Sequence, residues 1–299
     1  MNMTESILNY RQFLKRKNFS DLTVKNYLHR LKLFFSWVAT PVESMTVRDI
    51  TFYIDYLLEK QLAPRTINCH LSSIRLFYDY LADEEGVEIQ NPVVTGLLLR
   101  EPRPLPKYLT DSEVERFFRS VAGKRDFAIF MLMLRCGLRV NEVVNLTLDV
   151  IDYKRSRILV KAGKGAKDRI VFISNDAATA LAAYLRERPV TEEKQIFLVE
   201  KGRCLGNPIS VRAIQKRMEH YAKISGVAVT FHRLRHTMAT QLLNADADLV
   251  SIQEILGHTK IKTTQRYSKL SNLKAQRDYF QAMELVIKKA QINRLAGDI

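Results

Sequence analysis

Apolar side chains in residues 4–17 fall at Ile7, Leu8, Tyr10, Phe13 and Leu14, a three-and-four spacing that gathers them on one side of a helix. Residues 22–38 repeat the pattern with Val24, Tyr27, Leu28, Leu31, Phe34, Phe35 and Val38, behind a cap offered by Ser20 and Asp21. A third helix is predicted near 46–61, opened by Thr46 with Asp49 three residues on. A fourth, at about 64–83, starts at Ala63-Pro64 and carries Ile67, Leu71, Ile74, Phe77, Tyr78 and Leu81 on its inner face. Four short helices of this size make a compact all-α domain.

The periodicity then breaks. Residues 97–108 contain three prolines, which favour an extended, semi-rigid linker. Thr110-Asp111-Ser112-Glu113 forms a capping box that starts a new helical run, so the boundary falls near residue 105. The expected organisation is a helical domain over 1–96, a linker over 97–108 and a second domain over 109–299. In the second domain, helices are predicted near 111–121, 124–136 and 140–146. Residues 157–161 and 168–172 read as two strands flanking the glycine-broken turn 162–167, a β-hairpin. After a helix at about 175–188 and another at 210–224, a strand-like run covers Val227–Phe231. Helices follow at 233–244, 249–256, 260–268 and 271–294. The expected fold class is mainly α with a small β-sheet or hairpin, as an all-α domain followed by an α+β domain. No internal repeat or low-complexity segment interrupts it.

Composition narrows the class. A chain of 299 residues with 46% hydrophobic content can bury two cores. No apolar run approaches the roughly 18 residues of a membrane span, and the N-terminus lacks a signal-peptide pattern. Three cysteines, widely spaced and without a CxxC pair, point away from a disulfide framework or a zinc site. The expected location is the reducing cytoplasm. The net charge of +15 is lopsided: residues 1–100 hold 12 Lys+Arg against 11 Asp+Glu, and the remainder holds 35 against 21. A polyanion gripped mainly by the second domain fits that balance, through phosphate neutralisation and counterion release. In the first domain Arg65, His70 and Arg75 lie along one helix. They read equally as a DNA-facing stripe or as a solvated face.

Five separated pieces of the second domain offer cationic or nucleophilic groups. Arg139 follows a glycine at a helix start, with Glu142 three residues on to orient it; an ordinary surface pair at that spacing is the competing reading. Lys164 stands at the hairpin tip between glycines that permit close approach to a ligand. His232 and Arg235 share one helical face, flanked by His236. Leu256-Gly257-His258 closes a helix with a glycine turn and adds a second imidazole. Tyr267 follows among basic residues, where a phenol next to an anion site becomes a candidate nucleophile.

Together the motifs Gly-Leu-Arg-x-x-Glu (137–142), Gly-Lys-Gly-x-Lys-x-Arg (163–169), His-x-Leu-Arg-His (232–236), Leu-Gly-His (256–258) and a tyrosine nine residues beyond resemble those of the tyrosine site-specific recombinases, the phage-integrase family. In length and layout the chain is most similar to their Xer-type members, over essentially its whole extent. Two departures are small. Phe172 stands where the family often has proline, and Asp246 stands in a turn where it often has glycine. Aspartate tolerates left-handed backbone better than most residues, so that turn is expected to survive.

The resemblance implies a SAM-like core-binding domain, a catalytic domain and an oligomerisation helix at the C-terminus. Attack by a phenol on a phosphodiester builds charge on the non-bridging oxygens, which Arg139 and Arg235 can fork onto without a metal ion. Tyr267 is the expected nucleophile, His232 accepts or relays its proton, and His258 donates a hydrogen bond to the phosphate. By resemblance, Lys164 protonates the departing 5′-oxygen, Glu142 supports the arginine and His236 is an auxiliary. Arg65, Arg75, Lys167, Arg169 and Arg233 are the expected DNA contacts. The product is a 3′-phosphotyrosyl bond that conserves the phosphodiester energy, so neither ATP nor Mg²⁺ nor another cofactor or metal is expected. The implied partner is duplex DNA with a short core site, since the helical domain begins almost at once and leaves no room for an arm-binding domain. The implied assembly is a homo-tetramer on two sites, or a hetero-tetramer with a paralogue, passing through a Holliday junction. The last helix, with Leu273, Phe280, Met283, Val286, Ile287 and Leu295, reads equally as docked on a neighbour or packed on its own domain. Two other functions compete: a topoisomerase-like or resolvase-like nicking–rejoining enzyme without strand exchange, and a DNA-binding protein that has lost catalysis.

Overall fold

A computed structural model describes residues 3–102, 106–161, 168–257, 279 and 283. The chain is mainly helical with one small sheet, and divides into two compact units, Met1–Arg103 and Pro104–Ile299.

The first unit holds four α-helices: α1 (Met3–Arg16), α2 (Asp21–Trp37), α3 (Val47–Glu59) and α4 (Pro64–Asp83). Their starts are set by local chemistry. The Ser20 hydroxyl accepts from the Thr23 amide, Thr46 and Asp49 form a reciprocal capping box, and Pro64 occupies the first turn of α4, where its missing N–H costs nothing. The six inner-face residues predicted on α4 are all fully buried. Each such side chain contributes about 1.5–3 kcal/mol on burial. Aromatic rings fill the space between helices, with Tyr10 edge-on to Phe77 at 5.1 Å and Phe34 to Tyr53 at 4.9 Å. Of the three residues read along α4, Arg65 and Arg75 are exposed, but His70 is buried with its Nδ1 3.0 Å from the Tyr53 hydroxyl. His70 lies three residues after Ile67 and four before Ile74, so the helix turns it inward with them.

The second unit begins with α5 (Asp111–Ser120), whose Thr110–Glu113 capping box forms as predicted. It continues with α6 (Lys124–Arg135) and α7 (Val140–Val144). Residues 128–134 of α6 are buried without a break, the mark of a helix enclosed on all sides. It packs against α7, against α8 (Asn175–Leu185) and against α10 (Phe231–Asn244). An antiparallel sheet of β1 (Ile151–Asp152), β2 (Arg157–Val160) and β3 (Arg169–Phe172) follows α7. The register pairs Val160 with Arg169 and Ile158 with Val171. Two further helices among the described residues are α9 (Val211–Ser225), which packs against α5 and α7, and α11 (Leu249–Leu256), which packs against α10 and β3.

Two expectations change in detail and one holds. The strand-like run at 227–231 forms no strand among the described residues: the Val229 amide donates to the Val227 carbonyl in a tight turn, and Phe231 already belongs to α10, capped by Thr230. β1 was not predicted; two residues carry no readable alternation. The turn between α10 and α11 holds Asp246 at φ 62°, so the left-handed position is occupied by aspartate as expected. The helix predicted at 260–268, the hairpin tip at 162–167 and most of 271–294 lie outside the described residues; Tyr279 and Met283 are helical. No helix among the described residues is long and apolar enough to cross a membrane.

Candidate functional site

The site is built around the end of α11. Gly257 terminates this helix in left-handed backbone, φ 59° and ψ 47°, and three successive carbonyls there each receive a different arginine. Ile255 O accepts from Arg169 Nε at 2.9 Å, Leu256 O accepts from Arg235 Nη2, and Gly257 O lies 3.5 Å from Arg139 Nη2. Carbonyls at a helix C-terminus carry the negative end of the helix dipole, so cations are stabilised there.

Arg235 comes from the second turn of α10, and its guanidinium also donates to the carbonyl of Gly137 just before α7. It is 5% exposed, a charge taken out of water and held by backbone dipoles. Arg139 is the residue preceding α7, and its side chain is 44% exposed. It bonds Glu142 twice: its amide donates to Oε2 at 2.7 Å and its Nη1 to Oε1 at 2.8 Å. The sequence expectation that Glu142 orients Arg139 has this geometry behind it. Adjacent carbonyls of one turn thus bring two guanidiniums together, one buried and one reaching solvent. Such a pair can hold the two non-bridging oxygens of a phosphodiester.

Arg169 does not face solvent. Its side chain is 10% exposed, and it forks onto Glu142, Nη1 to Oε1 and Nη2 to Oε2, each at 2.7 Å. Burial pushes the Glu142 carboxyl up, but hydrogen bonds from Arg169 and the Arg139 amide, with the Arg169 charge, outweigh it and bring it down to about 2. This fork was not foreseen. The signal was present in strand parity, because Arg169 stands opposite buried Val160 and two residues from buried Val171.

Arg233 is also turned inward: its guanidinium donates to the carbonyls of Ala228 and of Tyr108, the latter at 3.0 Å, and lies 3.9 Å from Glu113. Nearby, the Leu109 amide donates to Thr237 Oγ1 at 2.8 Å, fastening the start of this unit to α10. His232 is exposed and His236 half-buried on the same helix, their rings 6.4 Å apart. Arg65 and Arg75 belong to the first unit and are exposed; Arg75 Nη1 lies 3.5 Å from Thr95 Oγ1. Lys164, Lys167, His258 and Tyr267 lie outside the described residues.

Comparison with known proteins gives a consistent result. The signature of the phage integrase family matches residues 107–273, and that of the phage integrase N-terminal SAM-like domain matches residues 7–85. The tyrosine recombinase XerA of Thermococcus kodakarensis is 33% identical over 270 residues, covering 89% of this chain and 91% of its own. The tyrosine recombinase XerC of Oceanobacillus iheyensis is 34% identical over 268 residues, 84% and 87% of the two chains. Among solved structures, that of XerA recombinase covers 93% of this chain and 98% of its own at 28% identity and a TM-score of 0.54. A lambda integrase dimer bound to a COC' core site covers 89% and 95% with a TM-score of 0.73; at 16% identity it bears on the fold alone.

Proposed function

The chain belongs to the phage integrase family, and we propose that it is a site-specific DNA recombinase that cuts and rejoins duplex DNA through a 3′-phosphotyrosyl intermediate. The observation that carries this reading is the convergence of Arg139 and Arg235 on neighbouring carbonyls at the end of α11, one residue before His258 in sequence. Their forks take the two non-bridging oxygens of the scissile phosphate. Tyr267 attacks the phosphorus. A free tyrosine holds its proton until a pKa of about 10, so the cationic cluster favours the developing phenolate, and His232 accepts or relays the proton. His258 donates a hydrogen bond to the phosphate, and Lys164 protonates the 5′-oxygen as it leaves. The 5′-hydroxyl of a second strand then reverses the step, and the phosphodiester energy is conserved throughout.

The roles of Glu142, as support of Arg139, and His236, as auxiliary, complete the set. DNA contact is proposed for Arg65, Arg75 and Lys167. Arg169 and Arg233 act from within the protein, since their guanidiniums are engaged by Glu142 and by backbone carbonyls. The helical unit serves as the core-binding domain and the second unit as the catalytic domain. They work as a tetramer on two core sites in the cytoplasm, alone or with a paralogue. Nicking and rejoining without strand exchange would use the same chemistry, but the XerA and XerC relatives carry the name of recombinases, which favours exchange.

The test is Tyr267→Phe on a nicked suicide substrate. The variant binds its site and forms no covalent protein–DNA adduct, while wild type accumulates one. An adduct in the variant removes Tyr267 from the role.

A further inference from the structure

Glu142 accepts four hydrogen bonds, two on each oxygen. Oε1 takes Arg139 Nη1 and Arg169 Nη1; Oε2 takes the Arg139 amide and Arg169 Nη2. The carboxylate therefore has one arginine on each side, and the Arg169 fork is the one that fixes its plane. Arg169 does a second thing with its remaining Nε, which donates to Ile255 O. One planar guanidinium thus ties α7, which carries Glu142, to the turn of α11 that receives Arg235 and Arg139. The packing at this point is tight: a Cβ on Gly257 would come within 2.8 Å of Arg169 Cδ.

We propose that Arg169 is a positioning residue of the phosphate site: it sets the Glu142 carboxylate against Arg139 and holds both in register with the carbonyls of the α11 end. The proposal rests on the recombinase reading above. Arg169 does not touch DNA in this role. A lysine cannot replace it in full, because an ammonium lacks the planar fork that meets both carboxylate oxygens while keeping a third donor for a carbonyl.

Charge provides a readout that mere structural support would not move. Among the described residues, the charged groups facing Glu142 are Arg139, just before its helix, and Arg169 from β3; Arg235, from α10, reaches the neighbouring Gly137 carbonyl. Without Arg169, burial acts on the carboxyl with only Arg139 to oppose it, and its protonation moves upward in pH. Protonated Glu142 gives up one of its acceptor oxygens and releases Arg139.

The experiment compares wild type, Arg169→Gln, Arg169→Lys and Arg169→Gln/Glu142→Gln. Each is tested for DNA affinity and for the single-turnover rate of adduct formation on the suicide substrate between pH 5 and 9. In Arg169→Gln, affinity stays within about threefold while adduct formation slows about 100-fold, the scale of a misplaced reacting group. The slowed reaction acquires a further acid limb beyond the one that a proton acceptor gives wild type. The further limb disappears in the double variant, which has no carboxyl to titrate, and Arg169→Lys recovers part of the rate. A loss of affinity with an unchanged rate in the bound complex would make Arg169 a phosphate contact and overturn the proposal. A slowed rate with an unaltered pH profile would overturn it as well. Should Arg169→Gln fail to fold, Arg169→Lys decides alone: wild-type rate and profile contradict the need for the fork. An absence of adduct in wild type instead points to failure of the recombinase reading itself.

Discussion

The two units solve the problem of stability with different materials. In the first, the buried polar side chains among the described residues are Ser6, His70 and Ser73, and the space between helices is filled by rings of Tyr, Phe and Trp. The second takes charge inside: Asp126 and Arg235 are buried, and Glu142 and Arg169 nearly so. Buried ions recover their desolvation cost only where geometry and hydrogen bonding are nearly complete. The contrast follows the charge balance along the chain, in which the nearly neutral segment forms the aromatic core and the basic one holds the proposed phosphate site. A site that must grip a phosphate needs cations in fixed directions, and fixing them requires partners that an apolar core cannot supply.

The largest expected effect attacks the second unit at a distance from the chemistry. Asp126 accepts from Arg125 Nε and Nη2 at 3.0 and 2.8 Å, and from Arg217 Nε and the Tyr221 hydroxyl at 2.6 and 3.0 Å. Asp126→Ala removes the buried carboxylate that the nearly buried Arg125 and the Tyr221 hydroxyl share, while the half-exposed Arg217 can turn to water, and costs about 3–5 kcal/mol. Hydrogen exchange locates the loss in α6 and α9, with α4 unchanged. A loss under about 1 kcal/mol would break the comparison, since the buried charge would then not be structural.

A matched pair of glycines sharpens it. Gly86 in the first unit and Gly257 in the second both hold positive φ, 65° and 59°. A Cβ at Gly86 meets open space, so Gly86→Ala costs only the left-handed strain of about 1–2 kcal/mol. At Gly257 the same methyl also displaces Arg169, adding about 1–3 kcal/mol of overpacking. Chemical denaturation of the two variants, with adduct formation as second measurement, tests this; equal costs and undiminished cleavage would contradict it.

The smallest effect is one of pH. His70 is held neutral by burial, aided by the charges of Arg30 and His29, with Tyr53 facing its ring. Its folded pKa is lowered, so its contribution is complete above the unfolded value of about 6.5 and declines as pH falls from there toward the folded one. Glu142 is also lowered, to about 2. Its contribution is complete above about 4.3 and is lost only below that. Between pH 7 and 5 the first unit therefore softens while the Glu142 anchor holds. Trp37, the sole tryptophan, packs 5.0 Å from Tyr53 and reports the first unit alone. Its urea midpoint should fall over that range, the unfolding free energy dropping by no more than about 1.4 kcal/mol per pH unit for one proton. The slope should lessen in His70→Gln. A flat midpoint would remove His70 from the account.

Much of this was legible in the sequence because it is local. Helix starts at Ser20, Thr46, Pro64 and Thr110 depend on residues within one turn, and the apolar spacing of α4 names its buried face directly. The pair Arg139–Glu142 is equally local, three residues apart. What escaped depends on distant partners. The run at 227–231 has strand composition, but a strand needs a neighbour, and composition does not provide one. Arg169 meets Glu142 across 27 residues of sequence and Ile255 across 86, so its basic side chain suggested a surface contact where the fold makes an internal one. The Leu109–Thr237 bond spans 128 residues and leaves no local trace.

The end of α11 has a genetic consequence. Arg169, Arg235 and Arg139 are steered by oxygen atoms of the main chain, and no codon change deletes a carbonyl. Variation at residues 255 and 256 is filtered by packing alone, leaving the address that the arginines read intact. Vulnerability is instead concentrated in the three arginines, in Glu142, and in Gly137 and Gly257, where left-handed backbone and close neighbours leave no room for a side chain. A saturation library of this segment should therefore keep apolar exchanges at 255 and 256 and, at 257, lose nearly every codon but glycine.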